Sequence, residues 1–595
     1  MNDLSYSIVV GFVAFWTLSL SGLSAGQELK DIPPCDHPIF CDGPVLEAVQ
    51  LAELYEDSKT FVDMTLKESS DTVLDAFADI DDPTDKAAIE EFVATYFEGP
   101  DLEFDDYEPT DWKENPLFLA KIKDATYKKW AEDLHRLWFT LGRKIKQDVK
   151  DDTDLYSLIY VDEYFVVPGG RFREFFYWDT YWIIKGLLLS EMYDTVRGML
   201  RNWAALIDRY GKILNGNRVY FENRSQPPFF IPTVNEFYKA TEDRAFLAEM
   251  MPFMEAEYTF WMNERTVEIY DESKQTNHTL NQYNVRMGKP RPESFREDRE
   301  TTQDLSEDEA AVVYAEIASA CESGWDFSSR WLGPEEDAPL SSMRTTKIVP
   351  ADLNSIMCLS ERAMVTLHNV MGNFDKVLEY SNAVKARISA VESVLWSEDA
   401  GTWLDFDLET GEGNNKFSVA NIFPLWARCF VEDENGGVTN FETKVLEYLL
   451  NSEVLDYPGG IPSTLVDSGQ QWDYPNVWPP LMEVAIQAIH SINSDEAKTI
   501  AYNLAANWTS SNWEKYDETN VMYEKYNCND GTPGSGGEYI VQDGFGWTNG
   551  VILVLLDKYG DTLESTGDGS RLLTLSPIVL LGFCMCSRLI GSGRF

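Results

Sequence analysis

Apolar residues recur every three to four positions along most of the chain, and that period predicts helices. In residues 119–149, Leu119, Ile122, Ala125, Trp130, Leu134, Trp138 and Leu141 fall on one stripe of a 3.6-residue helix. The pattern repeats over residues 180–213 and 241–270, then in the pairs 351–370 with 374–396 and 480–492 with 496–508, each broken by short polar turns. Strand signals are sparse: GTWLDFDLETGEG, residues 401–413, is the clearest hairpin, and there is no alternation of strands with helices. Paired helices without an exact repeat predict an all-α fold, an (α/α) toroid in which helical hairpins surround a centre. Its cavity would be lined by loops at one end of the inner helices.

Both ends differ from this middle. SIVVGFVAFWTLSLSGLSAGQ, from Ser7, is an apolar run followed by small residues and reads as a signal peptide over residues 1–26, although Asn2 and Asp3 stand where a basic residue is usual. The stretch Leu572–Ile590 is apolar but interrupted by Pro577 and Arg588, so the tail 561–595 reads either as a membrane tether or as a plain hydrophobic end. The catalytic unit is expected over 27–560.

Composition narrows the chemistry. The 595 residues carry 49 Lys+Arg against 100 Asp+Glu, a formal net charge of −51, which repels phosphates and excludes nucleic acid as a partner. The five histidines, His37, His135, His278, His368 and His490, show no metal-type spacing, and no nucleophile elbow or phosphate loop occurs. Neither metal nor cofactor is expected, and carboxylates remain for catalysis. Of eight cysteines, Cys584 and Cys586 lie in the tail; Cys35 and Cys41 are spaced to close a short loop, and Cys321, Cys358, Cys429 and Cys528 read as small buried residues. Asn277 and Asn507 sit in glycosylation sequons, as does Asn223 within a site motif.

Five loop-like segments combine glycine or proline, a charge and an aromatic ring, the mix of a polar-substrate pocket with apolar walls. PGGRFREFFYWDTYW holds Arg171, Trp178 and Asp179; LNGNRVYFENRSQPPFF holds Asn215, Arg224, Ser225 and Gln226; GKPRPESFRED holds Arg291, Pro292 and Glu293. CESGWDFSSRW places Asp326 after Gly324 and Trp325, an indole beside a carboxyl that would raise its pKa toward a general acid. The last region runs from QQWDYPNVWPP through YEKYN to PGSGGEYIVQDGFGWTNG, with Glu524 and Glu538 separated by a glycine-rich loop. Singly, each reads as a helix cap, an ion pair or a solvated face. Together they supply two distant carboxylates, the minimum for cleaving a glycosidic bond.

These segments, PGGRFREFFYWDTYW and QWDYPNVWPP above all, resemble the signature stretches of the trehalase family, and NGNRVYFENRSQPP, RPES, ESGWDFSSRW, EKY and GGEYIVQDGFGWTNGV follow in the family's order. The resemblance implies an (α/α)6 barrel that hydrolyses the disaccharide α,α-trehalose to two glucoses with inversion and without a metal. It assigns Asp326 as general acid and Glu524 as general base, and places Arg171, Trp178, Asp179, Asn215, Arg224, Ser225, Gln226, Arg291, Pro292, Glu293, Gly324 and Glu538 on sugar-contacting positions. The chain departs from the family in reading EKYN, with Asn527 where an Asp is common. The rival readings are another inverting (α/α)-barrel glucosidase and a sugar-binding receptor that has lost catalysis. Oligomeric state is not legible.

Overall fold

The computed structural model describes residues 28–105, 109–335 and 337–565. The signal-peptide reading and nearly all of the tail, Cys584 and Cys586 included, lie outside them.

Six helices form a closed inner ring in chain order: Asp179–Leu189, Phe230–Thr241, Ala351–Met371, Phe423–Trp426, Pro479–Ser491 and Gly546–Tyr559. Each packs on the next, and the last returns to the first. They alternate along the chain with Ala125–Leu141, Tyr193–Tyr210, Arg244–Glu264, Phe374–Ala390, Asn440–Asn451 and Asp495–Thr519. The inner members are apolar nearly all round, as helices covered on every side must be, whereas Tyr193–Tyr210 buries one face and shows the other. The result is the expected (α/α)6 barrel.

Ring closure depends on two glycines. A Cβ on Gly550 would stand 2.1 Å from the Trp182 carbonyl oxygen, and one on Gly186 would stand 2.9 Å from the Gly550 Cα. Nothing larger lets the first and last inner helices approach so closely.

Around the barrel, short helices at Pro44–Leu51, Lys59–Val62, Ser70–Ala78 and Lys86–Tyr96 precede the first outer helix. An additional helix, Glu307–Ser323, is buried over most of its length. One hydrophobic core reaches from Cys35 to Leu563.

The structure corrects three sequence expectations. The stretch 119–149 is helical only over Ala125–Leu141, which Asp124 caps through the Tyr127 N–H at 2.9 Å; Gly142–Ile145 then becomes a strand paired with Phe104–Asp105 and Phe165–Val166. Helix 241–270 stops at Glu264, and Thr266–Asp271 pairs with Thr276–Asn281 in a hairpin, in keeping with its β-branched Thr266, Val267 and Ile269. Cys358 and Cys429 are joined in a disulfide, while Cys321 and Cys528 are buried thiols as expected. The Cys35–Cys41 bridge is present, and Phe406–Asp407 pairs with Glu412–Gly413 in the expected hairpin.

Gly550→Ala is expected to lose about 1–3 kcal/mol of stability through overpacking, read as a lower denaturation midpoint. Gly99→Ala, where a Cβ meets nothing within 4 Å, should stay within about 0.5 kcal/mol. An unchanged Gly550→Ala midpoint would remove the closure argument.

Candidate active site

The barrel's connectivity gathers the site. In an alternating barrel every connection from an outer to an inner helix emerges at the same end, and three of the five predicted segments lead directly into inner helices, the fifth into two of them. PGGRFREFFYW precedes Asp179–Leu189, NGNRVYFENRSQPPF precedes Phe230–Thr241, QQWDYPNVW precedes Pro479–Ser491, and the region from Glu524 to Phe545 precedes Gly546–Tyr559. GKPRPES and the Asp326 loop flank the additional helix Glu307–Ser323. All converge on one cavity lined by Arg171, Trp178, Asp179, Asn215, Arg224, Gln226, Arg291, Glu293, Gly324, Asp326, Glu524 and Glu538. Its apolar wall comes from Phe172, Phe176, Phe221, Trp472, Trp478, Tyr539, Phe545 and Trp547.

Ser225 and Pro292, expected at the sugar, do not line this cavity. The Ser225 hydroxyl donates to the Ile213 carbonyl at 2.6 Å and its N–H to Glu322 Oε1 at 2.9 Å, while the Pro292 carbonyl accepts from Gln50 Nε2 at 3.1 Å. Both are buried in the wall, where they hold their neighbours Arg224 and Glu293 in place.

Gly324 closes the helix Glu307–Ser323 in the left-handed region, φ 76°, and a Cβ there would stand 2.7 Å from Trp178 Cζ2. The next turn delivers Asp326. Its loop is clamped from beneath: Arg330 forms forked bonds to Asp352 at 2.7 and 2.8 Å and to Asp405 at 2.5 and 2.9 Å. Asp473 receives the Ser328 hydroxyl at 2.8 Å and the Ser329 N–H at 2.6 Å. No side chain among the described residues donates to the Asp326 carboxyl. Burial pushes that carboxyl up to about 7, with Arg291 pulling it down and Glu538 pushing it up. Trp325, the indole expected to raise that pKa, is set back from the cavity; it stacks on Trp472, ring centres 5.3 Å apart, and Trp472 forms the wall.

Glu524 is fully buried yet satisfied. Tyr539 donates its hydroxyl to Oε1 at 2.9 Å, and the Gln542 N–H lies 3.4 Å from Oε2. The Glu524 carbonyl accepts from the Trp547 indole at 3.0 Å, which fixes the backbone. Burial raises its pKa, opposed by Lys525 and by the Tyr539 bond. Asp179, in the first turn of its helix, is driven well above the ordinary carboxylate range by burial, with Glu524 and Asp326 adding to the effect.

Each of the three arginines is paired. Arg171 meets Asp57 through Nε and Nη2, both at 2.7 Å, and the guanidinium overrides burial to hold Asp57 below the usual range. Arg291 binds Asp298 and Glu538, at 2.6 and 2.7 Å from Nη2. Arg224 donates to Asn215 at 3.0 Å and to Glu293. Its Nη1 and the second Glu293 oxygen are buried without a hydrogen-bond partner among the described residues. One free donor beside one free acceptor is the pattern that a sugar hydroxyl satisfies.

Sequence reading missed Asp57, Asp298, Gln471, Lys525 and Tyr539. The last four lie inside segments already singled out, Asp298 closing GKPRPESFRED seven residues after Arg291, but Asp57 carries no local signal, since only folding brings it to Arg171. Asn527 stands in the short strand Tyr526–Asn527 paired with Asn476–Val477, its Oδ1 accepting from the Asn529 N–H at 2.9 Å, and it does not line the cavity. Among the described residues, no group of three or more His, Cys, Asp or Glu is arranged to hold a metal ion.

The sequence model of the Trehalase family matches residues 53–560. A trehalase of Oryctolagus cuniculus is 43% identical over 576 residues, 96% of this chain and 98% of that protein. One from Apis mellifera is 42% identical, covering 94% of this chain and 90% of that protein. The solved neutral trehalase Nth1 from Saccharomyces cerevisiae shares the fold, with a TM-score of 0.54 at 21% identity over 67% of this chain and 75% of its own. On the family match and the extent of these similarities, the chain belongs to the trehalase family.

Proposed function

We propose that this protein hydrolyses α,α-trehalose to two glucose molecules by single displacement with inversion. The observation that carries the mechanism is a pair of carboxyls in one cavity with opposite surroundings: Asp326 lacks side-chain donors and is pushed up to about 7, whereas Glu524 receives the Tyr539 hydroxyl. A carboxyl in the first setting keeps its proton and can give it away; one in the second is stabilised as an anion and can accept one.

Asp326 then protonates the bridging oxygen as the bond from that oxygen to the anomeric carbon breaks. Water attacks the opposite face of the carbon and passes its proton to Glu524. Room for that water calls for carboxyls about 6.5–9.5 Å apart. Arg224 Nη1 and the free Glu293 oxygen take one hydroxyl, and Asp179, whose carboxyl burial holds well above the ordinary range, meets another. The arginines are already compensated by acids, so they bind by direction rather than net charge, which suits an uncharged sugar.

Asp326→Asn is expected to lower kcat about 10²–10⁴-fold. Early product from the wild-type enzyme, followed by proton NMR, should contain equal α- and β-glucose; two α-anomers would refute inversion.

The pH profile follows from the two shifts. Asp326 must be protonated to donate, so activity should fall as pH rises through about 7. Glu524 must be ionised, and its pKa is raised, so activity should fall on acidification from a midpoint above the ordinary 4.5. A kcat/KM profile flat across pH 7 would contradict the assignment of Asp326.

We infer further that the protein is exported and glycosylated. The Cys35–Cys41 and Cys358–Cys429 bridges favour an oxidising compartment, and Asn277 and Asn507 are exposed. Asn223 is already engaged, its amide 2.5 Å from the Pro33 carbonyl. No helix among the described residues is long and apolar enough to cross a membrane. Mass mapping of protein from a secretory host should find glycan on Asn277 and Asn507 and none on Asn223, with both disulfides intact; a glycan on Asn223 would count against the placement of that loop.

A further inference from the structure

Lys525 follows Glu524 directly, and its side chain is completely buried. The ammonium forms no ion pair with a carboxylate among the described residues. It donates instead to Gln471 Oε1 at 2.9 Å and to the Gly536 carbonyl at 3.2 Å, and lies 5.1 Å from the centre of the Trp478 ring. A buried cation with only neutral partners is costly, and burial pulls Lys525 down to about 8. What favours its charge is the field of Glu524 and Asp326.

The contacts have a direction. An ammonium donates and never accepts, so it obliges Gln471 to turn its oxygen inward. The Gln471 amide nitrogen is thereby aimed at the Asp326 carbonyl, to which it donates. The loop carrying Glu538 crosses the same stem: the Gly534 N–H donates to the Lys525 carbonyl at 2.9 Å, and a Cβ on Gly534 would meet Lys525 Cγ at 2.8 Å. Lys525 thus touches the Gln471–Trp478 segment and the glycine loop, and reaches the Asp326 backbone through Gln471, while lining none of the cavity itself.

We propose that Lys525 is a positioning residue for the general base, its buried ammonium holding Glu524 ionised while Gln471, oriented by the same ammonium, anchors the backbone of Asp326. This rests on Glu524 being the base. The other groups facing Glu524 are Tyr539, Arg171 and Asp179; those facing Asp326 are Arg291, Arg224, Glu538, Asp179, Cys321 and Tyr539. Of these, Lys525 exerts the largest charge effect on Glu524.

The test is the pH dependence of kcat/KM for Lys525→Gln and Lys525→Arg on α,α-trehalose and on α-glucosyl fluoride. With the fluoride substrate, the C–F bond breaks with its electron pair, water bonds to the anomeric carbon, and the water's proton still goes to Glu524; no acid is needed for the leaving group. Lys525→Gln is expected to move the acid limb up by about 1 unit on both substrates, with KM little changed, and Lys525→Arg to restore most of that shift. An unmoved acid limb in a Lys525→Gln protein with wild-type melting behaviour would overturn the proposal, as would a loss confined to trehalose. Should Lys525→Gln fail to fold, Gln471→Glu, which neutralises the ammonium in place, should shift the same limb upward, and an unmoved limb there overturns the proposal equally. Failure of the underlying reading looks different: the wild-type enzyme would leave trehalose intact, or Glu524→Gln would remain active.

Discussion

Backbone approach between the first and last inner helices is the constraint on which the rest of the molecule depends. Gly186 and Gly550 let Asp179–Leu189 and Gly546–Tyr559 meet with no side chain between them, and this contact turns a row of helical hairpins into a ring. Once the ring closes, loops that lie hundreds of residues apart share one mouth. Asp179 leads the first of these helices and Glu524 belongs to the segment that feeds the last, so the contact that closes the barrel also completes the pocket.

The pocket then works by controlled burial. Asp326, Glu524 and Asp179 are all pushed upward by loss of solvent, but they differ in what surrounds them. Glu524 has a tyrosine donor and a neighbouring lysine, Asp326 has a clamped backbone and no side-chain donor, and Asp179 faces two other acids. Three residues of similar chemistry therefore have different proton affinities. The arginines, each matched to Asp57, Glu293, Asp298 or Glu538, contribute fixed geometry without building a positive field. The acidity of the whole chain, −51, coexists with an inner site whose charges are balanced locally.

Much of this was legible beforehand because it is written in local patterns. Helical periodicity revealed the barrel class, and the clustering of glycine, tryptophan and charge in a few loops marked Asp326, Glu524 and the arginines. Period alone failed where a partner strand competed: Gly142–Ile145 and Thr266–Asp271 became strands because pairing partners were available in space. The Cys358–Cys429 bridge escaped for a similar reason, since a separation of 71 residues carries no spacing signal.

By itself, then, the sequence determined the class of fold, the absence of an obvious nucleophile or metal motif, and which loops are chemically unusual, because periodicity and composition act over a few residues. Only the tertiary structure decided which acid pairs with which arginine, that Ser225 and Pro292 turn into the wall, that Trp472 rather than Trp325 faces the cavity, and that a buried lysine stands behind the base. Those outcomes depend on burial and on direction, and neither exists until distant segments have packed against one another.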